Sequence, residues 1–498
     1  MLKPLRALLT DRRRARSLAV ASVTLAAAGI VLVRAPKPSH GGPRSSLLAP
    51  EVAPPQTSPS ASRAPSVAFS TAALHGRVAM AQGAVSPGGV SHVYAEIRVE
   101  ADAAGDREVQ RPVAMALVLD ISGSMSGEKI EQARGSVLSL VDQMRDDDRI
   151  ALVTYSDTAR IVQPLARVAD VRQRLHAVVP AIGIEGGTNI PAGLAAGAGA
   201  LESVPSSFAR RIVLVSDGQD TSGQPLDRTA SRVRERAEQG VTLSALGVGA
   251  DYDERFMSRV ADAGRGNYEF LRQGSQLRAF LTRELNEATR TTVDNARVAV
   301  RLPAGWSLAR GYGAEVRSDG RELTVPLGSM YAGEARRLVL DLLVNPTVAQ
   351  GVHGLGSAGA LHARLDYDDL RTSAPVTREV GQLAMAVAPS ALDANASRDP
   401  AVFAEAEGTV IAARQAEAVV AWRSGDRAQA AAIAQQNLTT LRALQAAAPT
   451  PTRAAQISAY SRDRSAFEDM SAASEEGRAY GLRSNAIHRR ALRSATAY

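Results

Sequence analysis

At 498 residues the chain is long enough for two or three domains, and its formal net charge is +7. The excess is local: residues 1–37 carry eight Lys/Arg against the single Asp11, so residues 38–498 are formally neutral, and with 4% aromatics the chain offers neither the basic face nor the stacking residues that nucleic-acid binding uses. There is no cysteine, which excludes disulfides, zinc–thiolate and iron–sulfur centres, cysteine nucleophiles and lipid attachment through sulfur.

Residues 1–16 contain six Lys/Arg, residues 17–33 are uncharged, and Arg34 and Lys37 follow. A cationic start before an apolar core predicts a transmembrane signal anchor at 17–33, with a cleaved signal peptide as the alternative. The basic asymmetry puts residues 1–16 in the cytoplasm and the bulk of the chain outside it. Eight of the 24 prolines fall in residues 35–66, among Ser, Ala and Gly. Residues 34–88 are therefore expected to be an extended linker.

From Val93 the texture changes. Val93, Ala95, Ile97 and Val99 alternate with polar residues, the period of a half-buried strand. Residues 113–119 are continuously apolar, as a strand covered on both faces must be. Ile130, Ala133, Val137, Val141 and Met144 follow at helical spacing. Further strands are expected at 150–155, 212–215 and 241–248, and further helices at 168–179, 190–201, 226–238, 254–263 and 277–288. This alternation predicts an α/β domain over 112–288 built on a doubly wound, mostly parallel sheet, with ligands bound outside the carboxyl ends of its strands.

Residues 289–388 lose the helical period: Val298, Val300 and Leu302 alternate, and Asp319-Gly320 is a hairpin signal. Together with 89–111 they predict a small antiparallel β domain into which the α/β domain is inserted. Asp399-Pro400 is a helix start, and Gly425-Asp426 closes one helix and caps the next. Residues 398–448 thus read as a helical hairpin, and 449–498 as a tail with one loosely attached helix.

The chemistry lies in three short segments of the α/β region. Residues 119–125 read Leu-Asp-Ile-Ser-Gly-Ser-Met, residues 186–190 read Gly-Gly-Thr-Asn-Ile, and residues 213–218 read Val-Leu-Val-Ser-Asp-Gly. They supply Asp120, Ser122, Ser124, Thr188 and Asp217. Carboxylates and hydroxyls are hard ligands, suited to Mg²⁺, Mn²⁺ or Ca²⁺. Two carboxylates balance a divalent charge, and three neutral hydroxyls keep the ion electrophilic. These residues and spacings resemble the metal-ion-dependent adhesion site of von Willebrand factor type A domains. The flanking β domain resembles bacterial membrane-anchored and inter-alpha-trypsin-inhibitor-like members. The resemblance implies that Asp120, Ser122, Ser124 and Thr188 ligate the cation directly or through water, that Asp217 acts through water, and that an open position takes an Asp or Glu of a partner protein.

Other signals lead elsewhere or nowhere. Gly354 to Gly359 fits Gly-x-Gly-x-x-Gly, but an alternating strand follows it where a dinucleotide site needs a helix. Gly123 to Lys129 fails the phosphate-loop spacing, because Glu128 stands at the second glycine. The seven histidines include no i,i+4 pair, and no general base accompanies Ser122 or Ser124. The expectation is a non-enzymatic, membrane-anchored binding module. Two rivals remain: an envelope component in which the metal only staples loops, and a metal-dependent hydrolase, which needs a second metal, a base or a phosphate clamp.

Overall fold

The structure, a computed structural model, describes residues 63–103 and 111–493. The expected anchor at 17–33 lies outside them, and no described helix is long and apolar enough to cross a membrane.

The linker expected to reach residue 88 ends earlier. β1 (Ser66–Ser70), β2 (Leu74–Met80) and β3 (Ala84–Val85) precede β4 (Ser91–Ala101) as folded strands. Their period is hidden at Gly76, which stands between the buried Leu74 and Val78 where the alternation asks for an apolar side chain. Gly76 pairs with Phe69, and a Cβ there would lie 2.0 Å from Arg98 O of β4 and 2.8 Å from the Phe69 ring. The backbone of β4 and the aromatic ring of β1 together fill the space that a side chain on β2 would have used.

The α/β domain follows. β5 (Val113–Asp120) is buried along its whole length. Its odd residues, Val113 to Leu119, pack with α1 (Glu128–Gln143), while Ala114, Ala116 and Val118 face the other layer. β6 (Arg149–Tyr155) leads into β7 (Ala159–Arg167), an edge strand that periodicity missed. β7 is mostly exposed and carries Pro164, which an edge tolerates. Next come α2 (Val168–Val178), α3 (Ile190–Ala200), β8 (Ala209–Ser216), α4 (Leu226–Glu238), β9 (Val241–Val248), α5 (Glu254–Ala263), β10 (Arg265–Leu271) and α6 (Leu277–Thr289). The sheet order is β10-β9-β8-β5-β6-β7, parallel except for β7. Helices α1, α2 and α6 cover one face, and α3, α4 and α5 the other. The chain steps from β5 outward to β6, then returns to β8 on the opposite side of β5. The order therefore reverses between β5 and β8, which opens a crevice at their carboxyl ends.

The second domain completes the strands begun before the insertion. It comprises β11 (Thr291–Arg301), β12 (Trp306–Tyr312), β13 (Arg317–Asp319), β14 (Glu322–Tyr331), β15 (Ala335–Val344), α7 (Pro346–His353), β16 (Ser357–Asp369) and β17 (Ala374–Val387). One sheet runs β1-β2-β4-β15-β12 and the other β13-β14-β11-β16-β17-β3. Their inner faces share one apolar core, so the domain is a β-sandwich. The α/β domain is inserted between β4 and β11, and Arg111 N donates to Thr289 O where the chain enters and leaves it.

After α8 (Ala391–Ala396), Asp399 caps α9 (Pro400–Arg423), and α10 (Arg427–Ala447) packs back along it as the expected hairpin. The tail is more ordered than its sequence suggested, with two helices, α11 (Pro451–Asp469) and α12 (Glu475–Arg493). Helix α12 is not loosely attached. It lies on α9, and Leu482 joins the apolar layer of the α/β domain. Buried Asp463 accepts hydrogen bonds from Gln415, Tyr480 and Ser484 and contacts His488 at 2.6 Å, tying α9, α11 and α12 by polar contacts that no apolar stripe announces.

Candidate metal centre

The carboxyl ends of β5 and β8 put Asp120 and Asp217 on either side of the crevice. Both are fully buried, Ser122 and Thr188 nearly so, and Ser124 is exposed. After Asp120 the chain leaves the sheet through a short 3₁₀ turn at Gly123–Met125, which folds the loop back over the strand end. Ser122 N donates to Asp120 Oδ1 at 2.8 Å, and Ser216 Oγ donates to Asp120 Oδ2 at 2.7 Å. Burial pushes the Asp120 carboxyl up, against these hydrogen bonds, which favour its charged form. Beneath it, the buried phenol of Tyr155 donates to Val215 O at 3.2 Å. Burial, with Asp120 nearby, holds that phenol protonated.

The loops are fastened to one another directly. Ser124 Oγ donates to Asp217 Oδ1 at 2.6 Å and lies 3.0 Å from Ser122 Oγ. Thr188 N donates to Thr221 Oγ1 at 3.0 Å, and Thr221 N returns a bond to Thr188 O at 2.8 Å, joining the second loop to the third. Gly218 keeps this corner open: a Cβ there would meet Thr188 Oγ1 at 2.8 Å and Ser124 Oγ at 3.4 Å. The structure thus brings all five sequence-expected residues to one crevice.

The donor set fits a hard divalent cation. Among the described residues no three His, Cys, Asp or Glu side chains gather as a metal cage, so an oxygen shell here has to include the hydroxyls. The Ser124 hydroxyl directs its proton at Asp217 and so accepts from Ser122 Oγ, which leaves it one lone pair, and the Thr188 hydroxyl makes no hydrogen bond to a described residue. When bound, a divalent ion would supply an electrophilic centre for an outside carboxylate.

Two residues at the site escaped the sequence reading. Ser216 is visible only as the neighbour of Asp217, yet it holds the inner oxygen of Asp120. Lys129 was passed over with the failed phosphate loop, but its Nζ sits 2.5 Å from Asp217 Oδ2. The available signal was a cation in the first turn of a helix, where the dipole disfavours it.

The sequence profile of the von Willebrand factor type A domain matches residues 115–283. The Escherichia coli protein YfbK is 32% identical over 256 residues, which is 49% of this chain and 44% of that protein. Mouse inter-alpha-trypsin inhibitor heavy chain H2 is 29% identical over 171 residues, 31% of this chain and 17% of that one. The chain therefore spans less than half the length of either relative. Among solved structures, a von Willebrand factor type A protein from Catenulispora acidiphila superposes with a TM-score of 0.62 at 19% identity, covering 79% of this chain and 91% of that one. The ArnB paralog VWA2 from Sulfolobus acidocaldarius gives 0.58 at 16%, covering 85% and 98%. The likeness of fold thus extends beyond the α/β domain.

Proposed function

From the von Willebrand factor type A domain that residues 115–283 form, we propose that the protein is a non-enzymatic binding module which captures an acidic side chain of a partner protein through Mg²⁺ (or Mn²⁺ or Ca²⁺). Domains of this type commonly mediate protein–protein contacts. The observation that carries the reading here is the convergence of two buried carboxylates and three hydroxyls at the switch-point crevice, with exposed Ser124 at its mouth. Asp120, Ser122, Ser124 and Thr188 are the proposed ligands, direct or water-bridged, and Asp217, held by Ser124, acts through water. With only two negative charges in the shell, the ion keeps its pull on a third carboxylate.

The direct hydrogen bonds between the loops, Ser124 to Asp217 and Thr188 to Thr221, speak against a metal that serves only as a staple, since they supply fastening of their own. Circular dichroism of EDTA-treated protein is expected to look native, and wholesale unfolding would support the staple. The capture reading is tested by calorimetry with an acidic partner in Mg²⁺. Replacing the partner's key Glu by Gln should cost about 1.5–3 kcal/mol, the scale of a hydrogen bond to a charged group. Ser124→Asp should hold the metal more tightly and the partner more weakly, because its added charge competes with the incoming carboxylate. Equal partner affinity in Ser124→Asp and wild type would end the open-coordination mechanism.

The proposed location is extracytoplasmic, anchored by residues 17–33, on the strength of the basic asymmetry around that segment. Protease added outside an intact inner membrane should digest the folded domains. Full protection would reverse the topology.

A further inference from the structure

Lys129 does not belong to the ligand set, yet it has the shortest contact to a ligand carboxylate that the site contains. Nζ lies 2.5 Å from Asp217 Oδ2 and 3.2 Å from Ser124 O, and the side chain is 35% exposed. Its placement follows from local structure. Lys129 is the second residue of α1, directly after the metal loop, and helical side chains lean toward the helix N-terminus, here back over that loop. A cation at this end of a helix opposes the dipole, so the buried carboxylate of Asp217 is what holds it. With Ser124 on Oδ1 and Lys129 on Oδ2, both oxygens of Asp217 are engaged, and one of the site's two negative charges is already balanced.

We propose that Lys129 is the resident counter-ion of the site: a divalent cation has to weaken or displace its contact with Asp217 on binding, and the ammonium restores it when the ion leaves. The inference rests on reading Asp120, Ser122, Ser124, Thr188 and Asp217 as a divalent-cation site, and it concerns how tightly that site holds its ion. A positive charge within a few ångströms of a divalent ion lowers its affinity, and because Asp217 is buried the repulsion is poorly screened. The same contact removes the repulsion between Asp120 and Asp217 in the metal-free protein. Lys129 thus makes the ion exchangeable and the empty site tolerable.

The test is titration with Mg²⁺ alone, by calorimetry, of wild type, Lys129→Gln, Lys129→Met and Lys129→Arg. Lys129→Gln keeps a hydrogen-bond donor toward Asp217 without the charge. Both neutral variants should bind Mg²⁺ at least about tenfold more tightly, with Lys129→Arg close to wild type. In EDTA the neutral variants should melt below wild type, and their gain in melting temperature on adding Mg²⁺ should be larger. A neutral variant that binds Mg²⁺ as wild type does, or more weakly, overturns the proposal and makes Lys129 a residue that merely orients Asp217. If no variant shows saturable binding, the metal-site reading fails and the inference falls with it. Since Gln and Met differ in size and polarity, misfolding of one leaves the other to decide.

Discussion

Asp120→Asn should lower Mg²⁺ affinity at least about hundredfold while leaving the metal-free protein as stable as wild type, or more so. Residues that only hydrogen-bond a metal ligand cost about 10–100-fold when removed, so loss of charge at a ligand belongs at the upper end or beyond. The stability half of the prediction comes from burial. Asp120 is fully buried and its carboxyl is pushed up by desolvation, so burial disfavours its charged form. An asparagine removes that charge and keeps both hydrogen bonds. Its oxygen can still accept from Ser122 N, and its amide can donate to Ser216 Oγ once that hydroxyl rotates. Calorimetry with Mg²⁺ and melting in EDTA measure the two halves. A variant that melts several degrees lower in EDTA yet binds Mg²⁺ like wild type would make Asp120 a structural residue and remove it from the ligand set.

The burial that disfavours a charge at Asp120 is also why the residue could be read from sequence. Asp120 ends a strand otherwise made of Val, Ala, Met and Leu, and Asp217 follows Val213, Leu214, Val215 and Ser216. A carboxylate has no packing reason to stand at such places, and two of them beside Ser and Thr in glycine-rich loops narrow the chemistry to hard cations. The continuous apolar runs of β5, β8 and β9 were legible on the same ground, because burial on both faces leaves one composition. What stayed hidden depends on a partner distant in sequence. Gly76 breaks the pattern of β2 because the Arg98 carbonyl and the Phe69 ring fill its place, β7 lacks a regular alternation because it is an edge, and α12 is held by partners such as Asp463 that lie on other elements. Lys129 belongs to the same class, since nothing in residues 123–129 says that Asp217 will lie beside it.

The largest effect on stability is expected away from the candidate metal site, at Glu284. This residue of α6 is fully buried beneath the parallel sheet and accepts from three strands at once: from Arg211 Nη1 of β8 at 3.0 Å, Ser244 Oγ of β9 at 2.7 Å and Asn267 Nδ2 of β10 at 2.7 Å. Glu284→Ala strands the buried guanidinium of Arg211 and takes away the acceptor of the Ser244 hydroxyl. Breaking one side of a buried ion pair costs about 3–5 kcal/mol. The low end applies, because the partly buried Glu287, one helical turn on, already accepts from Asn267 at 2.8 Å and can take some of the charge of Arg211. A loss of about 3 kcal/mol corresponds to a fall of roughly 6–12 °C in the melting of a domain this size. Arg211→Met with Glu284→Leu removes both charges and should regain most of it, since a buried pair replaced by packed apolar side chains is often neutral or stabilising. The comparison separates two origins for the loss. If the double variant melts as low as Glu284→Ala, the stability lay in the hydrogen bonds to Ser244 and Asn267 rather than in the stranded charge. If Glu284→Ala itself melts within a degree or two of wild type, the contact between α6 and the sheet is not what holds this face closed.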